Sequence, residues 1–502
     1  MKRLCLILLC CFLPSFAQQL AILHTNDTHA QFEPAPATWV QKNPKPLIGG
    51  MTALEYFISK EREKQQPILL LDAGDIMTGT PIAKIVRDGV TGGGYMDMLN
   101  MIGYDAMTIG NHEFDEGQEN LLRLAAAAQF DVLSANLYQN DRLITQKPYA
   151  IYTVGGVKVG VIGLILSRLF DDVAKKNLDG IRVQDPAAAA QTFINEIDPQ
   201  TDLIVLLTHQ GVEEDLALAD RIRGADVIVG GHSHSRLQEP IRRNGLLVVQ
   251  ADSKTRYLGR LELTVQADTV ADYRYQLIPT WVDSVRNPNP RMQELVRQYK
   301  ERIDEEYGKP LGKLKVDWRR SNQQESNIGN YLTDVVRSSV GVDFAVLNSG
   351  GIRKDLNKGV LRKLDIVEIL PFSNYIVKFT CSGAELRTMV ESNARATLRQ
   401  EPGILQVSGL SYAFRITKGG TVEIEWIKVN GRALDDHKTY TGATVDFIIY
   451  GQAEKYFGFP VQTGEATGFL LADLVMDYVQ KHPSVRSKIN GRIRCTDLRK
   501  KK

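Results

Sequence analysis

Residues 202–234 read DLIVLLTHQGVEEDLALADRIRGADVIVGGHSH, which is one complete unit of strand, helix and strand. Two short runs of Leu, Ile and Val enclose a segment whose apolar residues recur at helical spacing. His209 ends the first apolar run, and His232 and His234 follow the second. Strands that alternate with helices in this way form a sheet with helices on both faces. The stretch therefore predicts an α/β domain with histidines at the carboxyl edge of its sheet.

The same alternation of short apolar runs and helical segments extends from Gln19 to about Pro279. Period-2 alternation near Tyr257 to Val282 predicts antiparallel strands that close this domain. A polar stretch with two prolines and a charged helix from about Met292 to Tyr307 follow, and a second α/β pattern then begins. These patterns divide the chain into an N-terminal segment 1–17, a first domain 18–285, a linker helix 286–310 and a second domain 311–498.

Length and charge exclude several classes of protein. The 502 residues are roughly three times the usual length of one domain, so two or more cores are expected. Hydrophobic residues make up 43% and charged residues 24%, proportions that are typical of soluble globular proteins. The chain has 61 Lys and Arg against 59 Asp and Glu, and removal of Lys2 and Arg3 with the N-terminal segment leaves 59 against 59. No excess of positive charge remains to favour a nucleic acid partner.

The N-terminal segment 1–17 reads MKRLCLILLCCFLPSFA and is typical of a cleavable secretory signal. Its apolar core of roughly 10 residues is too short for the roughly 20 that cross a bilayer. We therefore expect an exported protein, periplasmic or secreted, without stable membrane insertion. An uncleaved anchor and lipid attachment at Cys10 or Cys11 are the alternatives. The mature chain keeps Cys381 and Cys495, which could pair or remain thiols.

Side chains that can bind metals follow five of the predicted strands in the first domain. A lone histidine at such a position is more often structural, but ligands at five strand ends would converge at one edge of an α/β sheet. Carboxylates, imidazoles and one amide without a thiolate suit Zn²⁺ or Mn²⁺, and so many ligands require two ions. Two such ions favour phosphoester hydrolysis, because they stabilise both the attacking and the leaving oxygen. The side chains are Asp27, His29, Asp75, Asn111, His112, His209, His232 and His234.

The motifs around these residues resemble those of the calcineurin-like metallophosphoesterases: D-T-H at 27–29, G-D at 74–75, G-N-H-E at 110–113 and G-H-S-H at 231–234. GNHEFD, LTHQG, SNIGNYLTD, NSGGIR and LQVSGL narrow the resemblance to the 5′-nucleotidase family, which includes UDP-sugar hydrolases and 2′,3′-cyclic phosphodiesterases. The resemblance implies fold class α/β, with a four-layer αββα metallophosphoesterase domain followed by a second α/β (α+β) substrate-binding domain. It also implies that the second domain rotates toward the metals.

The resemblance also implies the roles of individual residues. One metal would be held by Asp27, His29, Asp75 and His234, and the other by Asp75, Asn111, His209 and His232, with Asp75 as the bridge. His112 and Asp115 match the family's catalytic pair, and their spacing is compatible with Asp115 orienting the imidazole. The alternative for Asp115 is a helix N-cap.

In the second domain, Asn348, Arg353 and Phe447 match substrate-contacting positions, and Phe447 would be one of two aromatics that enclose the base. Taken alone, an aromatic after a strand is more often part of the core. The sequence departs from the family pattern at Ile404, where the other stacking aromatic is expected. It departs again at 450–459, where YGQAEKYFGF lacks the Asp of a Gly-Gly-Asp-Gly turn. The aromatics that could substitute as a platform are Tyr450, Tyr456, Phe457 and Phe459.

We therefore expect an exported two-metal phosphoester hydrolase that releases phosphate from nucleoside 5′-monophosphates or related nucleotides by in-line attack of a metal-bridging hydroxide. Two divalent ions, Zn²⁺ or Mn²⁺, are the expected cofactors, and a small nucleotide or phosphoester is the expected partner. One alternative is the same metal site acting on another ester, such as a sugar phosphate, a cyclic nucleotide or a sulfur ester. The other is a non-catalytic binding protein. The sequence leaves the oligomeric state open.

Overall fold

The computed structural model describes residues 17–37, 39–398, 403–461 and 464–497. The predicted signal lies outside the described residues except for Ala17. Within the described ranges, no helix is both long enough and apolar enough to cross a membrane. Cys381 and Cys495 form no disulfide, since Cys381 is buried in a strand of one sheet and Cys495 is exposed in a strand of another.

Two six-stranded sheets dominate the first part of the chain. In each sheet four neighbouring strands are parallel, and antiparallel strands lie at the edges. The antiparallel strands predicted near Tyr257 are confirmed. In spatial order the first sheet contains Val270–Pro279, Tyr257–Val265, Gln18–Thr25, Ile68–Asp72, Ala106–Thr108 and Asp131–Leu133. The second contains Tyr149–Val154, Val157–Ile165, Leu203–His209, Val227–Gly230, Leu246–Val249 and Ile241–Arg243.

The two sheets pack face to face, and helices cover the outer face of each. In strand Leu203–His209, residues 203, 205 and 207 belong to the core between the sheets. Residues 204 and 206 belong to an outer core shared with helices Pro186–Ile197 and Val212–Arg221. On the opposite side, Leu23 and Leu70 share a core with helices Met51–Arg62 and Gly93–Ile102. Both faces of each inner strand are thus buried, which explains the continuous apolar runs and confirms the four-layer αββα arrangement.

A long helix, Pro290–Tyr307, follows the two sheets and lies within the segment expected to link the domains. Its Met292, Tyr299 and Ile303 are buried in the same core as helices Met51–Arg62 and Gly93–Ile102, so it packs against the first domain. Smaller elements of the first part are helices Gln118–Ala127 and Leu169–Asp172, strands Arg142–Leu143, Leu137–Gln139 and Ile181–Val183, and the strand pairs Ala35–Pro36 with Leu47–Ile48 and Val86–Arg87 with Val90–Thr91.

A five-stranded sheet with helices packed against it forms the centre of the second part. Only one of its neighbouring pairs is parallel, as in α+β proteins. In spatial order its strands are Leu405–Ser408, Phe344–Asn348, Thr439–Val445, Tyr375–Ser382 and Gly464–Leu470. The helices are Asn327–Val340, Lys363–Ile369, Gly383–Ala396, Ala453–Phe457 and Leu471–Lys481. Two smaller sheets contain Arg432–Ala433, Val422–Val429, Leu410–Ile416 and Ile493–Asp497, and Gly359–Arg362, Pro310–Leu314 and Ser484–Val485.

Candidate metal centre

The candidate site lies where the carboxyl edges of the two large sheets meet. Three strands of the first sheet and two of the second each end at residues that can bind a metal. The structure brings the eight residues predicted from the sequence together in one place. In the order of their strands they are Asp27 and His29, Asp75, Asn111 and His112, His209, and His232 and His234.

The loops that carry these residues have an uncommon backbone conformation. At five of them φ lies between +48° and +75°, a region that most residues other than glycine avoid. Strained backbone of this kind clusters at functional sites. Hydrogen bonds between the loops stabilise this backbone conformation. Examples run from Asp27 N–H to Gly74 O (2.9 Å) and from His29 N–H to Asp75 O (3.0 Å). The five residues are Asp27, His29, Asp75, His232 and His234.

One group of ligand atoms comes from Asp27, His29 and His234, and these atoms lie within 4.8 Å of one another. The Nε2 atoms of His29 and His234 are 3.0 Å apart, and His234 Nε2 is 3.3 Å from Asp27 Oδ1. The backbone N–H of His232 donates to Asp27 Oδ2 at 3.0 Å, which fixes the carboxylate. The group therefore presents two imidazoles and one carboxylate to a common point.

A second group comes from Asp75, His209 and His232. His209 Nε2 lies 3.2 Å from Asp75 Oδ2 and 3.3 Å from Asn111 Oδ1. Asn111 Oδ1 is also 3.0 Å from His232 Nδ1, so the amide joins this group. A further set combines Asp75 with His29 of the first group and with His112. Asp75 therefore stands between the two groups.

The orientation of two imidazoles shows that the donor set fits cations. His29 Nδ1 lies 2.8 Å from Thr78 O, and His209 Nδ1 lies 2.7 Å from Ala73 O. A carbonyl oxygen only accepts, so each ring carries a proton on Nδ1 and directs Nε2 into the site. There the Nε2 of His209 faces the carboxylate of Asp75. Without a metal, a proton on Nε2 separates this nitrogen from the carboxylate, and a divalent ion would take the place of that proton.

The pKa values of the histidines in the site indicate that the carboxylates around them carry an excess of negative charge. Burial lowers the pKa of His209, but Asp75 outweighs this effect and raises the value to about 10. Burial also opposes charge on His112, yet Asp115 and Asp75 raise its pKa to about 9. Burial would raise the pKa of Asp75, but His209 and His112 hold it well below the usual range. Protons on the two rings balance the carboxylates here, as a divalent cation would.

His112 and Asp115 are in direct contact. His112 Nδ1 lies 2.7 Å from Asp115 Oδ2, and Thr78 donates its hydroxyl to the same oxygen. His112 Nε2 lies 4.0 Å from Asp75 Oδ2, so the other edge of the ring faces the metal ligands. The alternative that Asp115 is a helix N-cap is wrong, because Gly117 occupies that position before the next helix. Asp115 is therefore placed to orient the imidazole.

Glu113 joins two loops of the site, a role that the sequence analysis did not assign. Its Oε2 accepts hydrogen bonds from the N–H groups of Gly110 (2.6 Å) and Asp75 (2.9 Å), and its Oε1 accepts from Ile76 N–H (2.9 Å). The buried carboxylate thus ties the loop of Asp75 to the loop that carries His112. Its position directly after His112 in the G-N-H-E motif is the signal that could have pointed to it.

The second domain contributes an aromatic ring that the sequence analysis also missed. Phe372 stacks on His112 with ring centroids 5.7 Å apart and planes inclined by 24°. The guanidinium carbon of Arg353 lies 5.8 Å from the centre of the same Phe372 ring. The structure thus brings Arg353 near His112. No periodicity or motif marks Phe372, because its contact arises only where the two domains meet.

The other two predicted substrate positions have different surroundings. Asn348 ends strand Phe344–Asn348, is half-buried and lines a small cavity together with Phe372. Phe447 follows strand Thr439–Val445, is half-buried and packs against the core of the second domain. The structure therefore places Asn348 beside Phe372, whereas much of the Phe447 surface is engaged in core packing.

The two departures from the family pattern, at Ile404 and at 450–459, differ in how far their side chains are exposed. Ile404 is fully buried, at 0% exposure, so it offers no face on which a base could stack. Two of the four candidate replacements, Tyr456 and Phe457, are likewise buried in the core. Tyr450 is 47% exposed, and Phe459 is half-buried. Tyr450 is thus the most accessible aromatic of the altered segment.

Polar contacts hold the two domains together around Phe372. Lys84 of the first domain donates to Ser373 Oγ at 3.0 Å. Lys176, also of the first domain, forms an ion pair of 2.8 Å with Asp446 Oδ2. Because Ser373 is the next residue after Phe372, the contact from Lys84 fixes the backbone beside the ring that stacks on His112.

Phe372→Ala is expected to lower kcat about twofold to twelvefold, because an aromatic pair contributes about 0.5–1.5 kcal/mol. Phe372→Tyr keeps the ring and should retain most of the activity. Steady-state kinetics on a phosphoester, together with thermal unfolding, measures both effects. Phe469→Ala removes an exposed aromatic of the same domain and serves as the control. An unchanged kcat in Phe372→Ala would show that the stack does not position His112.

Comparison with known proteins relates the two halves of the chain to two families. Residues 20–236 match the family described as calcineurin-like phosphoesterase, and residues 309–461 match the family described as 5′-nucleotidase, C-terminal domain. The protein UshA of Yersinia enterocolitica is 28% identical over 534 residues, which cover 92% of this chain and 91% of that protein. The 5′-nucleotidase of Vibrio parahaemolyticus is 28% identical over 531 residues, which cover 93% and 90%.

A solved structure is similar over almost the whole chain. The crystal structure of a 5′-nucleotidase precursor from Thermus thermophilus superposes with a TM-score of 0.82 at 29% identity. The match covers 95% of this chain and 99% of that one. The similarity therefore extends through both domains and is not confined to the metal-ligand loops.

Proposed function

Because this chain belongs to the 5′-nucleotidase family of metal-dependent phosphoester hydrolases, with a calcineurin-like phosphoesterase domain and a 5′-nucleotidase C-terminal domain, we propose that it releases phosphate from nucleoside 5′-monophosphates or related nucleotides. The observation that carries the proposal is the position of Asp75 between two groups of ligand atoms. Two ions that share one carboxylate are suited to in-line displacement at phosphorus.

The proposed ligands form two overlapping sets. Asp27, His29, Asp75 and His234 would hold one ion, and Asp75, Asn111, His209 and His232 would hold the other. Nitrogen and oxygen donors without a thiolate favour Zn²⁺ or Mn²⁺. When bound, such ions supply Lewis-acid stabilisation of the attacking and leaving oxygens.

The chain's own side chains supply the remaining chemistry. His112, oriented by Asp115, would give its Nε2 proton to the ester oxygen that leaves when the P–O bond breaks; the support is its contact with Asp115 and the direction of Nε2 toward Asp75. Arg353 offers a planar pair of donors for the phosphate oxygens, and Phe372 restricts where its guanidinium can lie. Water adds to phosphorus, the alcohol departs with the proton from His112, and inorganic phosphate remains.

Nucleotides are the proposed substrates because relatives that align along nearly their whole length are named 5′-nucleotidases. Asn348, Arg353 and Phe447 would contact the substrate. The burial of Ile404 removes one stacking face, and each such face is worth about 1–3 kcal/mol. We therefore propose weak discrimination among the nucleobases. The same observation favours a second candidate, a smaller ester such as a sugar phosphate.

We further propose that the protein is exported and acts in the periplasm or outside the cell. The support is the sequence of residues 1–17, with two basic residues, a short apolar core and a small residue before Gln18. The mature protein would then comprise a metallophosphoesterase domain 18–285, a linker helix 286–310 and a substrate-binding domain 311–498.

Phosphate release by purified residues 18–502 tests the proposed function. With Mn²⁺ or Zn²⁺ present, we expect AMP and UMP to be hydrolysed with kcat/KM at least about tenfold above that for glucose 6-phosphate, or about 1.4 kcal/mol of discrimination. Chelation of the metals should abolish activity on all substrates. Equal rates on glucose 6-phosphate would support the second candidate, and no turnover on any phosphoester would overturn both.

A further inference from the structure

A threonine that the proposed mechanism does not use has a strained backbone beside the candidate metal centre. Thr78 is 6% exposed, and its φ is +60°. A β-branched residue rarely adopts this left-handed region, so the surrounding structure must hold it there. The next residue, Gly79, lies so close to His29 that a Cβ atom at position 79 would overlap His29 O. The turn at 78–79 therefore packs directly against a residue of the first group of ligands.

Thr78 contacts two parts of the site through two different atoms. Its carbonyl oxygen accepts a hydrogen bond from His29 Nδ1 at 2.8 Å. Its hydroxyl donates to Asp115 Oδ2, the oxygen that lies 2.7 Å from His112 Nδ1. The rings of His29 and His112 in turn meet edge to face, with centroids 5.2 Å apart and planes inclined by 69°. Thr78 and Asp115 therefore complete a closed ring of contacts between a candidate metal ligand and the candidate proton donor.

The hydroxyl of Thr78 restricts the carboxylate of Asp115. Rotation about the last side-chain bond of an aspartate has broad minima, so a single hydrogen bond does not fix the plane of the carboxylate. Two donors on one oxygen, the Thr78 hydroxyl and the N–H of His112 Nδ1, fix it from two directions. Hydrogen bonds to an ionised carboxylate are also roughly twice as strong as those between neutral groups. The hydroxyl thus holds in place the acceptor that orients the imidazole of His112.

We propose that Thr78 is a positioning residue that couples the first group of metal ligands to the proton donor His112 through Asp115. This inference rests on the proposed function. The carbonyl of Thr78 orients the ligand His29 and its hydroxyl orients the catalytic pair, so a single turn places the two parts of the site relative to each other. These two contacts also explain why a β-branched residue keeps a left-handed φ at this position.

Removal of the hydroxyl alone tests this role. In Thr78→Val, which keeps the β-branched shape, kcat on AMP should fall at least about tenfold, because a hydrogen bond to a charged group is lost. On p-nitrophenyl phosphate kcat should stay within about threefold of the wild type, since nitrophenolate leaves without a proton. Thr78→Ser keeps the hydroxyl and should stay within about threefold of the wild type on both esters. The KM values should change less than kcat, because the hydroxyl acts on the proton donor and not on binding.

Thr153→Val is the matched control, because Thr153 is exposed in strand Tyr149–Val154. It should have the kinetics of the wild type. Equal losses on AMP and p-nitrophenyl phosphate in Thr78→Val would overturn the positioning role, and so would a loss of the same size in Thr78→Ser. If Thr78→Val does not fold, Thr78→Ala takes its place, since it also removes the hydroxyl.

Metal content is measured without turnover. The carbonyl that accepts from His29 belongs to the backbone, so Thr78→Val should bind as many ions per chain as the wild type. Fewer bound ions would assign the side chain of Thr78 to the metal site and overturn its link to His112.

Nuclear magnetic resonance of the protein labelled with ¹⁵N-histidine separates this inference from the proposed function. The signal of the proton on His112 Nδ1 is identified by its absence in His112→Asn. In Thr78→Val this proton should exchange with water at least about tenfold faster, because the carboxylate that protects it is less fixed. Unchanged exchange would overturn the inference even in an active enzyme. Faster exchange in a chain that hydrolyses no phosphoester would overturn the proposed function and leave the contact between Thr78 and the pair established.

Discussion

Asp75→Asn is expected to lower kcat at least about a thousandfold on every phosphoester, because it removes the one charge that both groups of ligand atoms share. Asn keeps the shape of the side chain, but its amide replaces a negative oxygen that lies 3.2 Å from His209 Nε2. The fold should remain intact. Asn tolerates the left-handed φ of +57° at this position, and the hydrogen bond from the backbone N–H to Glu113 does not involve the side chain.

Metal content, circular dichroism and thermal unfolding are measured beside activity. We expect fewer bound ions per chain in Asp75→Asn and an unchanged circular dichroism spectrum. Asp272→Asn makes the same substitution at an exposed position in strand Val270–Pro279 and should behave as the wild type. Retention of full activity and two ions in Asp75→Asn would show that the assignment of a bridging carboxylate is wrong.

His112→Asn is expected to lower kcat on AMP by about 10²–10⁴, the usual contribution of a positioned acid or base. The loss should be at least about tenfold smaller on p-nitrophenyl phosphate, because nitrophenolate leaves without protonation. KM should change much less than kcat, since His112 acts on the leaving oxygen rather than on binding. Asp115→Asn should give a partial loss of the same kind, because it loosens the imidazole that the 2.7 Å contact orients.

His437→Asn, at an exposed histidine of the second domain, is the matched control. The two substrates separate two roles of His112. Equal losses on both esters would assign His112 to stabilisation of the transition state and exclude proton donation. An unaffected kcat on AMP would remove His112 from the reaction altogether.

Much of the fold could be predicted from the sequence because its strands are buried on both faces. In Leu203–His209 every residue is apolar up to the last two, and the structure shows one face against the other sheet and one against helices. The convergence of ligands could also be predicted, since the carboxyl ends of neighbouring parallel strands lie at one edge. The apolar runs that precede Asp75 and His209 are far apart in the sequence, but both therefore predicted ligands at one site.

Features that depend on contact between distant segments could not be predicted in this way. Phe372 is one apolar residue in a short loop, and its stacking on His112 requires the relative placement of two domains. The substitution at Ile404 was visible, but its complete burial was not, since that depends on how the second domain packs.

The left-handed backbone at five ligand positions also restricts which sequences can descend from this one. The non-glycine residues that tolerate such φ values best are Asn, Asp and His, which are themselves nitrogen and oxygen ligands. Glu or Cys at position 27 or 75 would incur a conformational penalty of about 1–2 kcal/mol before coordinating anything. The backbone conformation of these loops thus opposes the evolution of a site for softer ions, which prefer thiolate ligands. A descendant of this protein that bound a different metal would first need a different backbone conformation in these loops.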